Sequence, residues 1–291
     1  MGTFRALLQE GTEILKKAGI GEAGLDAWLL LEYTSGKNRA WYYAHDCEEM
    51  ESETAEKYLQ LCRKRAEHVP LQHLTHRAFF MEYEFYVDEN VLIPRQDTEV
   101  LVEIAGNLLK TRENPVILDM CTGSGCILIS LLADKKDSFG VGVDVSSAAL
   151  SVAQRNAQAI GVSERAHLIE SNLFSGEFFQ GKDGNAPEKY DMIISNPPYI
   201  PTEEIRGLME EVRLHDPVLA LDGHRDGLYF YRMITRDAGR YLKPGGWLLY
   251  EIGCEQGSDV SAFMKQAGFT SVEVRQDLAG LDRVVLGQMP E

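Results

Sequence analysis

From Pro115 onward the sequence repeats one pattern: a short apolar run, a turn, then an amphipathic stretch. "VILDM" (Val116–Met120), "FGVGVDV" (Phe139–Val145), "AHLIE" (Ala166–Glu170), "YDMIIS" (Tyr190–Ser195) and "WLLYEI" (Trp247–Ile252) are largely apolar and too short for buried helices. Such runs suit strands covered on both faces. Their alternation with helical stretches such as residues 146–160 predicts an α/β fold with a doubly wound, Rossmann-like parallel sheet. "SVEVRQ" and "DRVVLGQ" close the chain across a short Asp- and Gly-containing connection, which predicts an antiparallel partner at the C-terminal edge.

The region before this is different. Ala55, Tyr58, Leu59, Cys62 and Ala66 share one helical face, as do Leu25, Trp28, Leu29 and Tyr33 before Gly36. Residues 1–75 therefore read as a small N-terminal helical domain. "FFMEYEFYVDENVLIPR" (Phe79–Arg95) sets aromatic and β-branched residues around "DEN", which predicts a β-hairpin linker over residues 76–95. Val100, Leu101, Ile104, Ala105 and Leu108 then mark an amphipathic helix that opens the main domain, residues 96–291. A chain of 291 residues is long enough to give each domain its own core.

Composition narrows the function classes. The net charge is −16, and no basic stripe of the kind that neutralises a phosphate backbone is visible, so nucleic acid is a disfavoured partner. The densest basic cluster, "RKRAEH" (Arg63–His68), reads as a solvated helix face. No apolar stretch approaches the ~20 residues of a membrane span. "MGTFRALLQEGTEILKK" lacks both the layout of a signal peptide and the myristoylation pattern. Five cysteines without repeated spacing read as reduced thiols. The expectation is a cytoplasmic protein with no membrane partner, and a monomer by default.

Two motifs carry chemistry. "LDMCTGSGC" (Leu118–Cys126) follows the first strand of the doubly wound region, where glycines allow a tight turn and close approach to a ligand. Asp144 stands 19 residues after Gly125, at the end of the next strand, where a carboxylate can accept hydrogen bonds from both ribose hydroxyls. A dinucleotide fingerprint would need a third small residue at position 128, which is Leu128. The turn therefore suits S-adenosyl-L-methionine, which has no phosphate to cradle, better than NAD or FAD.

The second motif is "NPPY" (Asn196–Tyr199), directly after the strand Tyr190–Ser195. Consecutive prolines end the sheet ladder and stiffen the chain. Beside an adenosylmethionine pocket, such a segment can display two acceptors, the Asn196 side-chain carbonyl and the Pro197 backbone carbonyl. A planar amine conjugated to a carbonyl or a ring is a poor nucleophile. Accepting its two N–H hydrogens would aim and pyramidalise its nitrogen, with Tyr199 packed on the planar group. No side-chain base is needed, because methylation itself makes the proton acidic.

With these residues in view, the chain closely resembles the release factor glutamine methyltransferases, the PrmC/HemK family. The likeness runs through "PLQHLTHRAFFMEYEFYVDENVLIPRQDTEVLVE", "ILDMCTGSGCI", "GVDVSSAAL", "NPPYI", "DGLYFYRMI", "LKPGGWLLYEIG" and "DLAGLDRVVLG", in the family's order. It implies a seven-stranded methyltransferase domain joined by the hairpin to a helical domain that docks the substrate. It also implies methyl transfer to the side-chain amide nitrogen (N5) of the Gly-Gly-Gln glutamine in class-1 peptide-chain release factors, leaving S-adenosyl-L-homocysteine. Carried over residue by residue, Cys121, Thr122, Gly123, Ser124 and Gly125 line the cofactor's methionine part, and Asp144 binds its ribose. Asn172 and Leu173 of "SNLF" complete the cofactor set with Asn196, and Asn196, Pro197, Pro198 and Tyr199 hold the glutamine. The alternative is a nucleic-acid adenine (N6) amine methyltransferase, since the same tetrapeptide occurs there.

Two departures from the family pattern bear on the cofactor. Cys121 takes a place often held by glycine, which is compatible with a backbone that does not need positive φ there. Asn172 replaces the usual aspartate and offers adenine a carbonyl oxygen without charge. His68, His73 and His76 read as polar loop residues, and Cys121 and Cys126 as small buried side chains, so no metal is expected. Glu99 either meets the cofactor's amino group or caps its helix together with Asp97.

Overall fold

The computed structural model describes residues 2–180 and 189–291. Two compact units emerge: Met1–Arg77 with Met209–His215, and Ala78–Leu208 with Asp216–Glu291. No helix among the described residues is long and apolar enough to cross a membrane.

The first unit is helical, with α1 (Phe4–Lys17), α2 (Ala23–Ser35), α3 (Arg39–His45), α4 (Ser52–Ala66) and α5 (Leu71–Thr75). Thr3 and Asn38 cap α1 and α3 with their side-chain oxygens. Ala55, Tyr58 and Cys62 of α4 are buried as the spacing predicts. On α2 the expected face holds only in part: Trp28 is buried, but Leu25 is 45% exposed, while Ala27, Leu30 and Leu31 are buried as well. "AWLLL" is apolar on every side, so its periodicity has no direction. The helix buries Trp28, Leu30 and Leu31 in one cluster and Ala23 and Ala27 in another.

The "RKRAEH" cluster also departs from expectation, because Arg65 turns inward and is only 6% exposed. Its Nε lies 2.7 Å from Asp26 Oδ2, and its Nη2 lies 2.6 Å from Glu211 Oε1. Glu211 belongs to α9 (Glu210–His215), which the chain contributes to this unit long after leaving it. Sequence periodicity does not foresee this, because both acidic partners are remote in sequence. Arg65→Ala strands Asp26 as a buried, uncompensated charge and is expected to destabilise the unit by about 3 kcal/mol. Urea denaturation should show that loss, and Arg65→Met combined with Asp26→Leu should recover most of it.

The second unit opens with a hairpin, β1 (Ala78–Phe80) and β2 (Tyr83–Phe85), much shorter than the expected 76–95. Its turn falls at Met81-Glu82 rather than at "DEN". Met81 takes φ 52°, and its N–H donates to Glu99 Oε1 at 2.6 Å. Glu99 therefore neither caps its helix nor faces a ligand; it fastens the hairpin turn to α6 (Gln96–Leu109). Residues 86–93 run on without strand structure and bury Val87, Val91 and Ile93 against Ala149 and Val152.

The sheet contains β3 (Val116–Met120), β4 (Phe139–Asp144), β5 (Ala166–Glu170), β6 (Tyr190–Ser195), β7 (Leu242–Glu251), β8 (Thr270–Gln276) and β9 (Asp282–Gln288). Their order is β5-β4-β3-β6-β7-β9-β8, with β5 to β7 parallel and β9 antiparallel to both neighbours. The apolar "RVVLG" of β9 takes the inner position, and β8, whose residues are mostly exposed, becomes the edge. Helices α7 (Cys126–Asp134), α8 (Ser147–Ile160), α10 (Val218–Leu221), α11 (Tyr229–Ala238) and α12 (Gly257–Gln266) complete the unit.

Leu128 shows how α7 approaches the sheet without a small residue of its own. A Cβ at Gly140 would overlap the Leu128 side chain, and one at Gly142 would crowd it at 3.3 Å. The glycines that permit close packing have moved from the helix to β4.

Candidate active site

Strand order reverses at the β3–β6 pair, and open α/β sheets bind ligands at the carboxyl ends of the strands flanking such a point. A cavity of about 380 Å³ lies there. Its floor is the Gly-rich turn after β3, Asp144 at the end of β4, and Asn196 and Pro198 after β6.

The turn is held from below. Thr122 N–H donates to the Val143 carbonyl, and the Thr122 hydroxyl to Asp119 Oδ2 at 2.6 Å. Gly123 (φ 54°) faces open space, whereas a Cβ on Gly125 (φ 79°) would strike Ile129 and press Ala153, so α7 and α8 close in at this point. Cys121 has φ 60°, contrary to the expectation of an ordinary backbone there. A left-handed non-glycine residue costs about 1–2 kcal/mol. Here the strain is met at the point where the chain leaves the sheet for the turn. Burial pushes the Cys126 thiol up to about 12 and raises Cys121 as well, so both line the cavity as neutral groups.

Asp144 is fixed by the backbone on both oxygens: Oδ2 accepts from Gly123 N–H at 2.9 Å and Oδ1 from Ser146 N–H at 3.0 Å. Burial raises its pKa, an effect these hydrogen bonds oppose. Asn172 and Leu173 line the same cavity, and Leu173 takes φ 51°.

Asn196 and Pro198 of the tetrapeptide reach the cavity wall, while Pro197 and Tyr199 are not among its lining residues. Asn196 Nδ2 donates to Thr98 Oγ1 at 3.3 Å. The Tyr199 carbonyl accepts from Gln256 Nε2 at 2.9 Å, and a Cβ on Gly223 would come within 2.8 Å of the Tyr199 backbone. Beyond it, Ile200 exchanges backbone hydrogen bonds with Leu221 and Gly223. The tetrapeptide is therefore anchored at both ends, which a mere strand-terminating loop would not require.

The chain matches the PrmC N-terminal domain over residues 6–75 and the methyltransferase small domain over residues 96–212. It is 39% identical to the release factor glutamine methyltransferase of Caulobacter vibrioides over 94% of this chain and 92% of that one. It is 38% identical to that of Moorella thermoacetica over 99% of both. The chain belongs to the release factor glutamine methyltransferase family. A methyltransferase from Pyrococcus furiosus is similar in fold alone, with a TM-score of 0.50 at 15% identity, over 72% of this chain and 89% of that one.

In this member of the release factor glutamine methyltransferases, several site residues escaped the motif reading. Residues 90–95 form one outer wall, and Pro217, Leu219 and Ala220 with His224, Tyr229 and Phe230 form another. The salt bridge from Arg95 to Asp216, 2.8 Å, ties the two. Asn156 accepts from Tyr86 N–H and donates to the Tyr86 and Ser124 carbonyls, clamping the post-hairpin segment onto the Gly-rich turn. Glu251, 2% exposed at the end of β7, is held up at about 7 by burial. Its signal in the sequence was a lone acid in the apolar run "WLLYEI".

Asp119 beneath the turn is fully buried, one carboxyl oxygen lacks a partner among the described residues, and burial raises its pKa to about 7. A raised carboxyl pKa means that the native state binds the proton more tightly than the unfolded chain does. Asp119 therefore stabilises the fold below about pH 4, and that contribution is lost as pH rises to about 7. Asp119→Asn keeps an acceptor for Thr122 and should flatten the decline between pH 5 and 7, as read from urea midpoints across that range.

Proposed function

We propose that this chain transfers the methyl group of S-adenosyl-L-methionine to the side-chain amide nitrogen of the Gly-Gly-Gln glutamine in class-1 release factors. The observation that carries the reading is Asn196. It stands on the cavity wall beside the Gly-rich turn, and one of its two amide N–H groups is given to Thr98. With the amide nitrogen turned to Thr98, the carbonyl oxygen on the other side is the acceptor that an incoming amide N–H requires.

The residues present fit the cofactor. The cavity is of ligand size and largely apolar, with a few convergent polar groups. Asp144 sets a carboxylate beside the turn, which suits the ribose hydroxyls of an adenosyl group. Cys121 to Gly125 would hold the methionine part, Asp144 the ribose, and Asn172 with Leu173 the adenine side. When bound, the cofactor supplies an electrophilic methyl carbon.

The chain supplies orientation. Asn196 Oδ1 and the Pro197 carbonyl accept the two glutamine N–H hydrogens and aim the nitrogen lone pair. The two prolines keep those acceptors from yielding, and well-oriented reactants can gain roughly 7–11 kcal/mol of barrier at best. The Cys121 and Cys126 thiols remain protonated at neutral pH, so neither competes as a nucleophile. The amide proton leaves to water after methylation. The net charge of −16 suits a protein substrate better than a nucleic acid.

Mass spectrometry of a proteolysed release factor after incubation with this protein and methyl-labelled cofactor tests the reading. One labelled methyl on the Gly-Gly-Gln glutamine is expected, and Asn196→Ala should reduce its rate on the order of a hundredfold while cofactor binding persists. Label appearing on adenine in nucleic acid, with no release factor modified, would overturn it.

A further inference from the structure

An asparagine amide is ambiguous: a half-turn about its terminal bond exchanges an acceptor for a donor, and only one of the two faces serves an incoming N–H. Something must choose. Behind Asn196 lie two groups. The Thr98 hydroxyl oxygen accepts from Asn196 Nδ2, and the β6–β7 register pairs Ser195 with Tyr250, so Glu251 leaves β7 beside Asn196, where the Thr98 and Asn196 side chains lower its pKa. All three sit at element ends around the cavity: Thr98 in the first turn of α6, Asn196 after β6, and Glu251 closing β7.

We infer that Glu251, acting through Thr98, is the positioning residue that fixes the Asn196 amide with its carbonyl toward the substrate amide. The inference rests on the glutamine-methylating reading above. Thr98 can accept from Asn196 while donating onward to the carboxylate, so donor-to-acceptor polarity runs one way, from Asn196 to Thr98 to Glu251. A carboxylate only accepts and cannot satisfy a reversed Asn196. A protonated carboxyl can donate to the Asn196 oxygen and removes that preference.

This arrangement also gives a role to an acid that the sheet would otherwise be better without. Glu251 is buried, and its Oε2 has no hydrogen-bond partner among the described residues. The other groups around it are few. Arg283 of β9 lowers its pKa, and Asp97 of α6 raises it. Arg283 itself is shared with Asp97 at 3.2 Å and Asp277 at 3.1 Å, so its charge is largely spent elsewhere. The Tyr199 and Tyr231 hydroxyls and the Cys126 thiol also sense Glu251, and all three are held neutral by burial. The Tyr231 hydroxyl donates to the Glu251 main-chain carbonyl, not to its carboxyl. Thr98 and Asn196 are thus the side-chain groups that read the carboxyl's protonation.

The test compares wild type, Glu251→Gln, Thr98→Val and Thr98→Ser. Steady-state kinetics would use an intact release factor, and calorimetry would measure binding of S-adenosyl-L-homocysteine and then of the release factor to the loaded protein. In wild type, kcat should fall as pH drops through neutrality, where Glu251 takes up its proton. Glu251→Gln can donate to either face of Asn196. It should lower kcat by tenfold to a hundredfold or so and flatten the pH profile, leaving S-adenosyl-L-homocysteine affinity within about twofold. Thr98→Val should lose kcat similarly, and Thr98→Ser should restore most of it.

Wild-type kcat and pH dependence in Glu251→Gln would overturn the inference. So would a Thr98→Ser variant as impaired as Thr98→Val, since that marks packing rather than the hydroxyl. Should Glu251→Gln fail to fold, the two Thr98 variants decide alone. A wild-type protein that binds S-adenosyl-L-homocysteine but methylates no release factor would instead sink the underlying reading.

Discussion

The parallel pairing of β3 with β6 is the constraint on which the site depends. Met120 lies in register with Ser195, and the Ser195 hydroxyl donates to the Met120 carbonyl. The next residue on each strand, Cys121 and Asn196, therefore leaves the sheet beside the other. One begins the Gly-rich turn, the other opens the Asn-Pro-Pro-Tyr segment, and both line the cavity. Because sheet order reverses at this pair, the connections run off to opposite sides and leave a crevice above it.

Everything below that crevice is arranged to resist yielding. Asp119 holds the turn through Thr122, Asn156 clamps it from the side, and Asp144 grips Gly123 from the neighbouring strand. Buried acids such as Asp119 and Glu251 oppose folding, as a neutral core would not. Asp119 takes a hydrogen bond from Thr122, and Glu251 leaves β7 beside Asn196; Thr122 and Asn196 both line the cavity. Of the eight non-glycine residues with positive φ among the described residues, Cys121, Leu173 and His224 line the cavity.

Much of this was legible in the chain. Apolar strand runs predicted the α/β sheet and its antiparallel edge, and the Gly-rich turn, Asp144 and Asn196 lie around one cavity. Other features lay beyond a local reading. Leu25 is exposed because α2 is apolar all round, so periodicity cannot choose its buried face. Arg65 is buried because its partners, Asp26 and Glu211, lie 39 and 146 residues away. The hairpin turns early because Glu99, 18 residues on, captures the Met81 N–H.

The sequence by itself determined the strands, the stiff tetrapeptide and the two motifs, because these follow from local sterics and from apolar runs that only a covered sheet can bury. Tertiary structure decided which way those motifs face and what stands behind them. The Asn196 amide has two chemically opposite faces, and nothing within "NPPY" selects between them. That choice needs Thr98 and Glu251, which come from other elements and meet Asn196 only when the sheet has closed over them.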